Sequence, residues 1–112
     1  MTNRSKAKGT KHESSIVEVL AASGWPHAER RTLNGAFDRG DIAGIIGVVI
    51  EAKATAKANI PGWLRELDVE MVNDGAATGA VWAKSVGKAH AEDGYIVMRP
   101  ATWLALLKEA GY

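Results

Sequence analysis

The stretch "DRGDIAGIIGVVIEAKAT" (residues 38–55) decides the fold. Two apolar runs, 42–46 and 48–52, are rich in Ile and Val and are parted by Gly47. That pattern predicts two neighbouring buried antiparallel strands joined by a turn. Polar groups interrupt it at both ends, with Asp38 and Asp41 before the runs and Glu51 and Lys53 closing them. In a strand, residues two apart share a face, so Glu51 and Lys53 project together while Ala52 faces away. A turn near Ile46 sets Asp41 opposite Glu51, and directly opposed Cα atoms lie roughly 4.5–5.5 Å apart. Two carboxylates that close repel. A divalent cation relieves the repulsion by taking oxygens from both, and Mg²⁺ typically uses one or two carboxylates with waters and phosphate. A lysine beside such a pair orients an attacking water or stabilises charge building on phosphorus. A plainer reading stands beside this one: Asp41 as a turn residue, with Glu51 and Lys53 as a solvated strand end.

Working outward, "HESSIVEVLAASG" (residues 12–24) predicts a helix whose buried stripe is Ile16, Val17 and Leu20, with Gly24 as its stop. Glu13 stands three, four and seven residues before that stripe and so shares its face, whereas Glu18 falls on the solvent side. An unpaired carboxylate on a core face is expensive, so Glu13 needs a partner, and packing of this helix on the sheet would bring it toward Asp41 and Glu51. "HAERRTL" (residues 27–33) reads as a short strand and "NGAFDRGD" as a turn. "NIPGWLRELDVEMVNDG" (residues 59–75) predicts a second helix with Ile60, Trp63, Leu64, Leu67 and Met71 on its apolar face and Gly75 at its end. Asp68 and Glu70 read as part of a solvated acidic face of that helix, the alternative being a second metal site. "GAVWAKSV" and "GYIVMR" are two more strands. Pro100 leads into a last helix, with Thr102 as N-cap and Gly111 as terminator. The order is helix, three strands, helix, two strands, helix, which predicts an α/β domain with a central mixed sheet flanked by helices.

The 112 residues suit one domain. The chain has no cysteine, which excludes disulfides, thiolate metal sites and a cysteine nucleophile. The longest apolar run, residues 42–50, is far short of the ~20 residues of a membrane helix, and the N-terminus has no apolar signal core. A soluble, intracellular, cytoplasmic protein is expected, with no membrane partner. The net charge of +1 divides unevenly: Arg4, Lys6, Lys8 and Lys11 give residues 1–11 a charge of +4, leaving −3 for the rest. Residues 1–11 are therefore expected to form a basic flexible arm and residues 12–112 the single domain. Of the tryptophans, Trp63, Trp82 and Trp103 are expected in the core or a dimer interface and Trp25 in an exposed loop. His12, His27 and His90 lack metal-ligand spacing to one another, and His12 reads as a surface helix residue.

Three segments together resemble a known family: "KGTKHE", "RRTLNGAFDRGDIAG" and "VVIEAKAT". They look like the Glu, Asp, Glu-x-Lys series of the PD-(D/E)xK nucleases, and within these the Holliday junction resolvases. The basic-Gly-x-x-x-Glu opening of the first helix is similar to the archaeal enzymes. The nine residues between Asp41 and Glu51 resemble the spacing of the phage endonuclease I type. With motifs, the resemblance covers residues 9–55. It implies a restriction-endonuclease-like fold and a Mg²⁺-dependent endodeoxyribonuclease, with Mn²⁺ able to substitute. Glu13, Asp41 and Glu51 would surround the metal, and Lys53 would be the catalytic lysine. It further implies four-way DNA junctions as substrate, a homodimer that nicks two opposing strands, and a phage protein at work in a bacterial cell. Gly40 stands where the family's nominal proline would be, and Asp38 is a second candidate for the metal acid. On the nuclease reading, Lys6, Lys8, Lys11, Arg30, Arg31, Arg39 and Lys57 are candidate phosphate contacts. Two other functions fit the same residues: an endonuclease acting on ordinary duplex, and a non-catalytic module that binds DNA junctions.

Overall fold

Val48–Lys53 forms the central strand, β3, of a five-stranded sheet. The computed structural model describes residues 3–32 and 37–112. Within them run α1 (Asn3–Ala22), β1 (Glu29–Arg30), β2 (Ile42–Ala43), β3, α2 (Ile60–Asp74), β4 (Thr78–Ala83), a 3-10 turn (Ala91–Asp93), β5 (Tyr95–Val97) and α3 (Pro100–Glu109). This is the predicted order, and the sheet is mixed. β1, β2 and β3 pair antiparallel, β3 and β4 pair parallel with α2 as the crossover, and β5 closes antiparallel on β4. Ile42 pairs with Ile50, which is the register symmetric about Ile46 that the sequence predicts. No helix among the described residues is long and apolar enough to cross a membrane.

The alternation of β3 sorts the core into two layers. Ile50 joins Ile16 and Leu20 of α1, with Ala28, Ile42 and Ala91. Val49 points the other way and joins Trp63, Leu64 and Leu67 of α2, with Val81 and Ala83 of β4. Six apolar side chains are thus removed from water by α2 and its strands, and a fully buried Val or Leu among them contributes on the order of 1.5–3 kcal/mol. α2 is capped as its sequence requires. The Asn59 side chain accepts from the Gly62 N–H at 3.3 Å, and Gly75 ends the helix in the left-handed region at φ +69°.

Several expectations change. Residues 3–11 are the first turns of α1, not a flexible arm. Lys6, Ala7, Lys8 and Lys11 are strong helix formers, and the packed stripe further along anchors the helix they extend. β2 stops at Ala43, before the end of its apolar run. Gly44 takes φ +104°, and a Cβ there would overlap the His27 carbonyl, so the chain leaves the sheet and Ile46 is fully exposed in the turn. α3 begins at Pro100, so Thr102 is a buried helical residue and not the N-cap. Trp63 is in the core and Trp25 is exposed as predicted, while Trp103, expected in the core or a dimer interface, is 53% exposed on α3 and so is not in the core of this chain. His12 is buried, its Nε2 2.9 Å from the Trp82 carbonyl oxygen, so it ties α1 to β4. Leu33 and residues 34–36 of the predicted strand and turn lie outside the described residues.

Candidate functional site

The parity of β3 places the chemistry. Glu51 and Lys53 share the face of Val49, so they point at α2. Lys53 Nζ lies 3.3 Å from Glu51 Oε2 and 3.0 Å from Glu66 Oε2 on α2. Asp41, just before β2, is held against the same strand end. Its N–H donates to the Ile50 carbonyl at 2.9 Å, and its Oδ2 accepts the Ala52 N–H at 2.8 Å. The Asp41 side chain therefore takes the place of the next rung of the β2–β3 ladder. Gly40 reaches φ +93° ahead of it, and a Cβ would come within 2.9 Å of the Ile50 oxygen. Proline, fixed near −65°, has no access to that conformation.

Behind Glu51 lies a residue the sequence reading placed in solvent. Glu70 is 1% exposed and Glu51 6%. One ligand oxygen each from Asp38, Glu51 and Glu70 lie within 4.8 Å of one another. Glu51 Oε1 and both Glu70 oxygens have no hydrogen-bond partner. The signal was present in the sequence: Glu70 follows Trp63 by seven residues and Leu67 by three, so it sits on the apolar stripe, by the same argument that picked out Glu13. Asp38 is exposed, but its loop is fixed. Its Oδ1 accepts the Gly40 N–H at 2.9 Å, and its carbonyl accepts from Asn73 Nδ2 on α2 at 2.8 Å.

Electrostatics follow from this crowding. Burial first, then the close approach of the Glu70 carboxyl and the charge of Asp41, push the Glu51 carboxyl up from 4.5 to about 10. Burial is also the main cause that takes Glu70 up to about 7, with Asp38 and Asp41 adding repulsion. For Lys53, burial works downward, but the bond to Glu66 and the charge of Glu51 outweigh it, and its pKa rises from 10.5. Without a cation, burial and mutual repulsion favour the protonated forms of Glu51 and Glu70 at neutral pH. A bound cation would favour the ionised forms.

Asp41 and Lys53 open on a groove of about 1090 Å³ between the N-terminal half of α1 and the segment that follows β3. Its lining holds the cations Lys6, Lys8, Arg30, Arg31, Lys53 and Lys57 and the acids Glu13 and Asp41. Glu51 lies beneath this surface and is not part of the lining. Glu13 reaches the groove but not the carboxylate cluster, because α1 covers the opposite face of the sheet. It pairs with Arg30 at 2.9 Å. Of the remaining predicted phosphate contacts, Lys11 is exposed on α1 outside the lining. Arg39 approaches Asp74 at 3.9 Å, and Arg31 approaches the same carboxylate at 4.0 Å. No protein-family profile, curated protein or solved structure matches this chain.

Proposed function

We propose that this chain is a Mg²⁺-dependent, structure-selective DNA endonuclease with a PD-(D/E)xK nuclease fold, acting inside the cell as a homodimer that resolves four-way junctions. One observation supports the reading above all: Asp41, Glu51 and Lys53 meet at one strand end, where Asp41 and Lys53 border a groove lined by six cationic and two acidic side chains. A groove of that charge suits a phosphate backbone, whose contacts position a duplex without reading its sequence.

The donor set fits a hard divalent cation. Asp41 and Glu51 offer only carboxylate oxygens, and Glu51 Oε1 has no donor. Mg²⁺ bound there would supply charge to polarise the scissile phosphate and to lower the pKa of a coordinated water. The chain's own residues do the rest. Lys53, raised in pKa and held between Glu51 and Glu66, stays protonated at neutral pH. Its ammonium offers donors to the attacking water or to the charge that develops on phosphate oxygen. Arg30, Lys6, Lys8 and Lys57 hold the flanking phosphates. Glu13 acts through Arg30, keeping that guanidinium at the groove wall.

The test is cleavage of a synthetic four-way junction in Mg²⁺, with linear duplex at equal concentration. The expected result is paired nicks in the junction, lost on chelation, with Asp41→Asn and Lys53→Ala each slower by about 10²–10³-fold. Equal cutting of linear duplex would assign a duplex endonuclease. Tight, salt-sensitive junction binding with no cutting in Mg²⁺ or Mn²⁺ would assign a binding module. Undiminished cutting by either variant would overturn the site.

A further inference from the structure

The groove accounts for Asp41 and Lys53 but leaves Glu70 without a task. A glutamate on the apolar stripe of α2, 1% exposed and with neither oxygen bonded, is costly as a carboxylate unless a proton or a cation lies between it and the acids it faces. What it faces is Glu51, itself 6% exposed with Oε1 unbonded, and the carboxylate of Asp38. Lys53 bridges to Glu51 through Oε2 alone.

We propose that Asp38, Glu51 and Glu70 hold a divalent cation of their own, between the Asp38 loop and α2 and beneath the floor of the groove. Three oxygens within 4.8 Å of one another match the span across such an ion. Ca²⁺–oxygen distances of about 2.3–2.6 Å put opposite ligands roughly 4.6–5.2 Å apart, and Mg²⁺ at about 2.0–2.1 Å asks for roughly 4.0–4.2 Å. Adjacent ligands stand closer than that, so oxygens all within 4.8 Å of one another can be gathered by one such ion. Asp38 is exposed, which leaves one side of the ion open to water ligands, while the Asn73 and Gly40 bonds fix the Asp38 loop for the task. The ion would join α2 to the entry of β2 and set the carboxylate of Glu51. The site shares Glu51 with the proposed catalytic centre but rests on burial and geometry, whatever reaction the groove supports.

The 112-residue chain, freed of metal with EDTA and exchanged into chelator-free buffer, is titrated with Ca²⁺ and Mn²⁺ by calorimetry and by thermal unfolding. The wild type is expected to bind saturably, with a Tm that rises with Ca²⁺ concentration. Glu70→Gln and Asp38→Asn are expected to weaken binding at least tenfold and to lose most of the Tm rise. Asp41→Asn is expected to keep it. Glu70→Gln removes a buried charge of similar shape, so the metal-free variant should melt at or above the wild type, and the lost shift then reports the site and not unfolding. Tb³⁺ gives a second readout, because Trp63 precedes Glu70 by seven residues on one helix face, ~10 Å at 1.5 Å per residue, close enough to sensitise its luminescence. Wild-type affinity in both Glu70→Gln and Asp38→Asn, or no saturable binding in the wild type, would overturn the proposal. So would binding abolished by Asp41→Asn and untouched by Glu70→Gln, a result that would leave the catalytic reading standing. Failure of junction cleavage with the Ca²⁺ shift intact would remove the catalytic reading and leave this site.

Discussion

Removing metal should make the fold weaken steadily as pH rises through neutrality. The Glu51 carboxyl is pushed from 4.5 to about 10 in the folded chain, burial being the largest cause. The unfolded chain ionises this group near its ordinary value, so above pH 5 the folded state binds one more proton than the unfolded state. A group whose folded pKa is raised contributes stability that is complete below the unfolded pKa and lost as pH climbs toward the folded one. Each pH unit in that window is worth about 1.4 kcal/mol per group, so Glu51 alone removes roughly 3 kcal/mol between pH 5 and pH 7. Glu70, raised to about 7, acts in the same direction over the lower part of the window. Set against a typical 5–15 kcal/mol for a whole domain, the effect is large. Urea unfolding in EDTA at pH 5, 6, 7 and 8 measures it directly. The midpoint should fall with pH in the wild type, and the slope should flatten in Glu51→Gln and in Glu70→Gln. Saturating Ca²⁺ should also flatten it, because the cation favours the ionised acids that high pH produces. A wild-type midpoint that is level or rises between pH 5 and pH 8 without metal would refute the account of a crowded, desolvated carboxyl pair.

Other outcomes follow from the same geometry. Gly40→Pro should destabilise by more than about 1 kcal/mol in urea melts, because φ +93° is closed to proline and the Gly40 N–H that donates to Asp38 is lost. Glu13→Gln should slow junction cleavage less than Asp41→Asn does, since Glu13 sits with Arg30 on the other side of β3. Equal losses in the two variants would place Glu13 on the metal. Lys6→Ala, Lys8→Ala and Lys57→Ala should each weaken junction binding and reduce the slope of log K against log salt by about one, measured by fluorescence anisotropy at several salt concentrations.

The order of elements could be read from the chain because periodicity reports burial. Ile16 and Leu20, and Trp63, Leu64 and Leu67, recur at helical spacing and are indeed the core of α1 and α2. The β2–β3 register was readable for a related reason: a slip by one residue would turn Ile50 and Glu51 over to each other's faces, which one buried face each does not permit. What stayed hidden depends on contacts across long separations. That Gly44 must leave the sheet is decided by the carbonyl of His27. That His12 is buried is decided by a carbonyl seventy residues away, at Trp82. The charge of residues 1–11 suggested a tail, whereas residues 3–11 continue the helix that the packed stripe further along anchors.

The site itself was half legible, and the missing half turns on parity. Alternation along β3 put Glu51 and Lys53 on one face, but nothing in the strand says which helix covers that face. Glu13 and Glu70 both meet the sequence criterion of an acid on an apolar helical stripe, and only the sheet's two layers choose between them. Ile50 faces α1, so its neighbour Glu51 must face α2, and the acid buried against it is Glu70. Glu13 is left at the rim, where the same N-terminal helix that carries it lines the groove with Lys6 and Lys8. One strand thereby divides the charged residues into two sets. The carboxylate oxygens of Asp38, Glu51 and Glu70 converge on the α2 side of that strand. Nitrogens gather along the groove, where a polyanion can reach them. Lys53 is the side chain common to both, lining the groove while its Nζ lies 3.3 Å from Glu51.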